Sequence, residues 1–142
     1  MAYRHNVSAE LVWPIVRDNS SFAVTRRYAG RSAYGYKQLR LTTEPGNVAS
    51  KNVFKYSALA NAKAVDVTLA DDNKTLALVT KSKKRARTHT PNKANNTVAL
   101  KKTFKKGAKS AKSVVGASGY RSDLEKAALA KFSLLSRAAK KA

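Results

Sequence analysis

The sequence predicts an α+β protein. It divides into a small N-terminal domain with a short helix and an antiparallel sheet (1–80), a basic extended linker (81–96) and two basic C-terminal helices (97–142). Three observations predict this: apolar residues alternate with period two in the first 80 residues, they recur at helical spacing after residue 99, and the composition changes at residue 81. Leu, Ile, Val and Phe total 29, of which 19 lie in residues 1–80 beside 11 Lys and Arg and 6 Asp and Glu, a net of +5. Residues 81–142 hold the other 10 with 18 basic residues against 2 acidic ones, a net of +16. The first part can close a core, whereas the second is expected to need a scaffold.

Ser8 precedes Ala9-Glu10-Leu11-Val12-Trp13 and reads as a helix cap, with Glu10 favoured at the positive end of the helix dipole. Pro14 lies past the first turn, where it removes an amide donor, so this helix is expected to kink or stay short. Trp13 and Phe22 fall inside the apolar pattern and are expected in the core. After a turn at 18–21, Phe22, Val24 and Tyr28 alternate as a strand with Arg26 on the same face. Ala29 to Leu41 reads as an exposed loop rich in Gly, Tyr and basic residues. Glu44-Pro45-Gly46-Asn47 is a turn leading to an expected short strand from Lys51 to Tyr56. Val65, Val67 and Leu69, the turn residues Asp71-Asp72-Asn73, and Leu76 to Val79 make an antiparallel hairpin.

From Lys81 the chain runs Lys-Ser-Lys-Lys-Arg-Ala-Arg and then through Pro91 and Asn92 as an extended polar linker. Leu100, Phe104, Ala108, Ala111 and Val115 fall within an arc of about 80° on a helix, with Lys102, Lys105, Lys106, Lys109 and Lys112 opposite. Gly116 and Gly119 are expected to stop that helix. Ser122 and Glu125 have capping-box spacing for a last helix with a Leu124, Ala128, Phe132, Leu135, Ala139 stripe.

Overall, 29 Lys and Arg against 8 Asp and Glu give 142 residues a net charge of +21 and a pI near 10.6. Between Asn73 and Ser122 there are fourteen basic residues and no acid, so the counter-charges for that stretch must come from outside it. Nucleic acid is the polyanion of matching capacity. Dispersed cations on an extended segment and one helix face suit a large folded RNA better than a short sequence-specific site. The two C-terminal helices are therefore expected to pack on RNA. The RNA-binding candidates are Lys81, Lys83, Lys84, Arg85, Arg87, Lys101, Lys102, Lys105, Lys106, Lys109, Lys112 and Arg121, with Arg26, Arg27, Arg31, Lys37 and Arg40 as a second group. Tyr34 and Tyr36 among arginines suit base stacking and loop packing equally.

No cysteine is present, which removes disulfides, thiolate metal sites and cysteine nucleophiles. His5 and His89 have no ligand-spaced partner, and Asp71 and Asp72 read as turn formers rather than a cation site. Gly30 to Lys37 lacks the lysine a phosphate loop needs at position 36, which is Tyr. No catalytic constellation can be named, so the chain is expected not to be an enzyme and to use neither metal nor cofactor nor small-molecule substrate. With no apolar run of membrane length, an intracellular soluble protein without membrane partners is expected.

Several segments, in order, resemble the eukaryote-specific large-subunit ribosomal protein family numbered twenty-eight. They are Ser8-Ala9-Glu10-Leu11-Val12-Trp13-Pro14-Ile15-Val16-Arg17-Asp18-Asn19-Ser20-Ser21-Phe22, Thr43-Glu44-Pro45-Gly46-Asn47-Val48, Asn52-Val53-Phe54-Lys55-Tyr56-Ser57-Ala58-Leu59 and Gly119-Tyr120-Arg121-Ser122-Asp123-Leu124-Glu125-Lys126-Ala127-Ala128. The resemblance covers most of 8–81 and 119–139. It implies a structural constituent of the cytosolic large subunit, partnered by large-subunit ribosomal RNA and neighbouring ribosomal proteins, with nucleolar passage during assembly and no catalytic residues. The alternative from composition alone is a chromatin or other nuclear nucleic-acid-binding protein, for which Lys81 to Arg87 would serve as an import signal.

Overall fold

A computed structural model describes residues 7–25, 40–69, 75–82, 94–100 and 103–141. The N-terminal helix, α1 (Ala9–Asp18), starts as the capping residue dictates: Ser8 Oγ accepts from the Glu10 amide at 3.2 Å. Pro14 sits inside it without ending it, and Asn19 closes it by donating its side-chain amide to the Ile15 carbonyl at 3.0 Å. No residue of α1 is buried, and Leu11 and Ile15 are 67% and 68% exposed. Trp13 and Phe22, expected in the core, are half-buried outside it. Trp13 instead meets Phe54, ring centroids 6.0 Å apart and planes 58° apart.

β1 (Ala23–Thr25) pairs antiparallel with β2 (Arg40–Thr42), Val24 opposite Leu41. Of the segment expected as a loop up to Leu41, its last two residues thus belong to a strand; its remainder, with Arg26, Arg27, Tyr28, Tyr34 and Tyr36, lies outside the described residues.

The strand expected from Lys51 to Tyr56 is not formed. Lys51 makes one isolated bridge to Leu41, and the chain then turns through a short 3₁₀ segment, Phe54–Tyr56. The cause is local capture of backbone groups by asparagine side chains. The Asn61 amide donates to the Phe54 and Ser57 carbonyls at 2.6 and 2.9 Å. Asn47, fully buried, donates to the Lys51 carbonyl at 2.9 Å and accepts from the Ala49 amide at 3.2 Å.

The main sheet has three antiparallel strands in the order β3 (Val65–Leu69), β4 (Leu76–Lys81), β5 (Asn95–Ala99). The hairpin register places Val67 opposite Leu78, as the alternation predicts. β5 is new: Val79 pairs with Thr97 across a ladder in which all five β5 residues are exposed. Its Asn-Asn-Thr start carries no apolar alternation, so 95–96 read as linker and 97–99 as the start of the C-terminal helices; Leu100, expected on the helix stripe, is instead buried just after β5, and the helix begins at Phe104.

The C-terminal part comprises α2 (Phe104–Lys112), a π-turn (Ser113–Ala117), a 3₁₀ turn (Ser122–Leu124) and α3 (Glu125–Lys141). Gly116, expected to help stop the helix, lies inside the π-turn, whereas Gly119, at φ +62°, breaks the run as expected. The expected capping box is not formed, because Ser122 opens the 3₁₀ turn, whose preceding residue Arg121 makes no side-chain cap. One hydrophobic core joins Val65, Val67 and Leu78 of the sheet to Val115, Leu124, Ala128 and Phe132. Core residues therefore stand on both sides of the boundaries at 80 and 96, and the sheet supplies a scaffold for the helices. Buried Asp66 on β3 pairs with Lys131 on α3 and accepts from the Val67 and Gly46 amides at 2.8 and 3.3 Å.

Gly46 sits at φ +88°, and a Cβ there would stand 2.8 Å from the Ala58 Cβ. Gly46→Ala is expected to cost about 1–3 kcal/mol through backbone strain and overlap, read as a lower urea midpoint at unchanged slope; an unchanged midpoint would count against this turn geometry.

Candidate nucleic-acid interface

α2 carries the clearest charged surface among the described residues. Gly107 and Ala111 are buried beneath it, whereas Lys105, Lys106, Lys109 and Lys112 are exposed. At 1.5 Å rise per residue, Lys105, Lys109 and Lys112 span about 10 Å of helix on one face. An open groove of about 450 Å³ runs past Lys106, Lys109, Ser110, Ser113 and Val114. Among these lysines, Lys112 has a carboxylate partner, Glu125 at 3.6 Å, and remains 65% exposed. Such a face is positioned by its opposite side: the buried stripe of α2 fixes which way the lysines point. Phe104 is 46% exposed but stacks on Phe132 with centroids 5.5 Å apart, so the start of α2 is anchored to α3.

The other described candidates have protein partners. Lys81 Nζ donates to the Ala58 and Asn61 carbonyls at 2.9 and 3.1 Å. Burial holds its pKa below the usual lysine range, partly opposed by the negative charge of Glu44. Burial likewise pushes the Glu44 carboxyl up, against hydrogen bonds from the Leu59 amide and the Ser57 hydroxyl that favour its charged form. Arg121 donates to the Lys63 and Lys55 carbonyls at 2.9 and 2.7 Å and forks onto Asp123 at 2.8 Å. Arg40 pairs with Asp18. Arg26, Arg27, Arg31, Lys37, Lys83, Lys84, Arg85, Arg87, Lys101 and Lys102 lie outside the described residues.

Around Arg121 the fold is clasped. The Tyr120 hydroxyl donates to the Lys81 carbonyl at 2.6 Å and lies 3.4 Å from the Ala64 carbonyl, tying the turn before α3 to the end of β4. Hydrogen bonding from Arg121 holds the Asp123 carboxyl below its ordinary value near 3.8. A depressed carboxylate pKa contributes stability above the ordinary value that is lost as pH falls through the folded value. Asp123→Asn is therefore expected to cost about 1 kcal/mol at pH 7, with the gap to the parent shrinking as pH drops below about 4 in thermal melts. A gap that widens in acid would remove the clasp.

Among the described residues there is no group of three or more His, Asp or Glu that could hold a metal ion, and no helix long and apolar enough to cross a membrane. An α+β body presenting a fixed lysine face, with Lys81 and Arg121 engaged by carbonyls of the fold, has the form of the basic proteins found in ribonucleoprotein particles. The chain belongs to the Ribosomal L28e protein family, whose profile matches residues 11–138. It is 33% identical over 130 residues to the large ribosomal subunit protein eL28 of Schizosaccharomyces pombe, covering 92% of this chain and 91% of that one. It is 38% identical over 97 residues to eL28 of Caenorhabditis elegans, 68% of this chain and 66% of the relative. The eL28 of Dictyostelium discoideum is 39% identical over 61 residues, 43% and 39% of the two chains.

Proposed function

We propose that this protein is a structural constituent of the cytosolic large ribosomal subunit that binds and stabilises folded ribosomal RNA through phosphate contacts, passing through the nucleolus during assembly. The carrying observation is the α2 lysine row, held outward by the burial of Gly107 and Ala111 on the opposite side. Family membership supports the subunit, since the relatives' names place them in the large subunit. Lys105, Lys106, Lys109 and Lys112 make the described part of the phosphate-binding surface. The basic stretch with Lys83, Lys84, Arg85, Arg87, Lys101 and Lys102 extends it along the chain, with Arg26, Arg27, Arg31 and Lys37 as a second group. Lys81 and Arg121 act chiefly by tying the body together, while Arg40, paired with Asp18 at the surface, stays in the second group.

The mechanism is scaffolding: cations displace counterions from RNA phosphates, and the release favours association at low and moderate salt. Neighbouring large-subunit proteins are further partners. Sucrose-gradient sedimentation of a tagged copy tests the reading. Co-migration with large subunits and polysomes that survives a high-salt wash is expected. A tag that stays at the top of the gradient, or leaves at modest salt and binds duplex DNA equally well, would return the chromatin alternative.

A further inference from the structure

A second, differently built pocket lies on the far side of the sequence from the lysine helix. It has a volume of about 360 Å³ and is lined by Trp13, Arg17, Arg40, Lys51, Asn52, Val53 and Phe54. Its parts come from α1, β2 and the turn after the Lys51 bridge, and Asn52 fixes their spacing by donating its side-chain amide to the Arg17 carbonyl at 2.8 Å. Trp13 and Phe54 lie outside the core and, among the described residues, meet no ring but each other, so two aromatic surfaces are held half-buried beside three cations. Asp18 pairs with Arg17 and Arg40, which leaves three positive charges against one negative, a surplus of +2. Lys51 is exposed.

We propose that this pocket takes one unstacked nucleotide of single-stranded RNA, its base against Trp13 or Phe54 and its phosphate toward Arg17, Arg40 and Lys51. Three points carry the assignment. An aromatic face beside arginines is the arrangement that stacks a splayed-out base while neutralising the backbone that carries it. Rings 58° apart cannot sandwich a base between parallel faces, so one ring offers a face and the other an edge. The volume lies at the low end of about 300–1,000 Å³ for small-ligand sites, which fits a single nucleotide rather than a stacked pair. The proposal rests on the RNA-binding reading, but it names a different contact: base stacking in an unpaired segment rather than phosphate neutralisation along a folded one.

Trp13 is the sole tryptophan, so its emission reports on this pocket. The full-length protein is titrated with hexa-adenylate RNA and with the same strand made abasic, of equal charge, while polarisation of labelled large-subunit RNA follows overall binding. Saturable quenching by hexa-adenylate is expected, with little from the abasic strand. Arg17→Gln with Lys51→Gln, and separately Phe54→Leu, should weaken the quenching titration roughly tenfold, while replacing Lys105, Lys106 and Lys109 by Gln should leave it in place. Circular dichroism checks that each variant is folded. If large-subunit RNA binds normally but both hexamers leave Trp13 unmoved, the pocket assignment is overturned and the lysine-face reading stands. Emission that answers only to other large-subunit proteins also overturns it and gives the pocket to a protein side chain. Large-subunit RNA that binds the lysine variant as tightly as the parent, with hexa-adenylate quenching intact in both, would instead strike the lysine-face reading and keep the pocket.

Discussion

Replacing Lys105, Lys106 and Lys109 together by Gln is expected to make the dependence of RNA affinity on salt shallower by about two to three units of log K against log salt. Each of these side chains is exposed, and none of the described ion pairs uses them. Removing their charges therefore takes nothing from the core, and the melting temperature should stay within about a degree or two, as surface changes cost little. The effect must appear in binding. A lysine that neutralises a phosphate releases a condensed counterion, and that release is what salt opposes. Three lost contacts should weaken binding tens-fold near 0.2 M salt and by more at low salt, the gap to the parent closing as salt rises. In cells the variant should be depleted from large-subunit fractions. An unchanged salt slope with an intact fold would mean that the α2 face is only a solvated surface, and the phosphate contacts would have to be sought in the basic stretch before α2.

Much of the architecture could be read from the sequence because its signals are local. The β3–β4 hairpin follows from Val65, Val67 and Leu69 alternating before Asp71-Asp72-Asn73, and the two C-terminal helices follow from apolar stripes opposite lysines. What stayed hidden is non-local. β5 has no apolar alternation because its side chains are all exposed, and its existence depends on β4 offering an edge. The Lys51 to Tyr56 stretch looks like a strand by composition, yet Asn47 and Asn61 draw its backbone into a turn. Trp13 has the residue type and position of a core side chain, but α1 lies outside the main core and leaves it half-buried against Phe54. Charge posed the same difficulty for the site. Arg121 and Lys81 are indistinguishable by sequence from the lysines of α2. Only the positions of the Lys55, Lys63, Ala58 and Asn61 carbonyls reveal that these two side chains bind protein. The aromatic pocket draws on residues 13–54 and has no contiguous motif.

Phe132→Ala should be the most damaging single substitution in the C-terminal part, costing about 3–5 kcal/mol. Phe132 is 1% exposed, lies among Val65, Val67, Leu78 and Val115 in the shared core, and stacks on Phe104. Truncation leaves a cavity in the layer between α3 and the sheet and frees the start of α2, so it acts on the element that carries the lysine row. Two views of residues 81–142 make different predictions here. If their excess charge kept them unfolded without RNA, the free protein would melt in two steps, and the substitution would leave the sheet's transition alone. A core continuous from Val65 to Phe132 requires instead that sheet and helices melt together, so the variant should lose the β and the helical signals at one lowered midpoint. Against a total of about 5–15 kcal/mol for an ordinary domain, that loss brings the free protein close to its folding threshold. RNA that binds only the folded state then restores stability in proportion to its concentration over Kd, by about 2.7 kcal/mol at a hundredfold excess. The variant should accordingly bind RNA with lower apparent affinity but an unchanged salt slope, the reverse of the lysine triple variant. Circular dichroism melts with and without large-subunit RNA, run on both variants, separate loss of contact from loss of fold. Two distinct transitions in the parent protein would refute the single shared core.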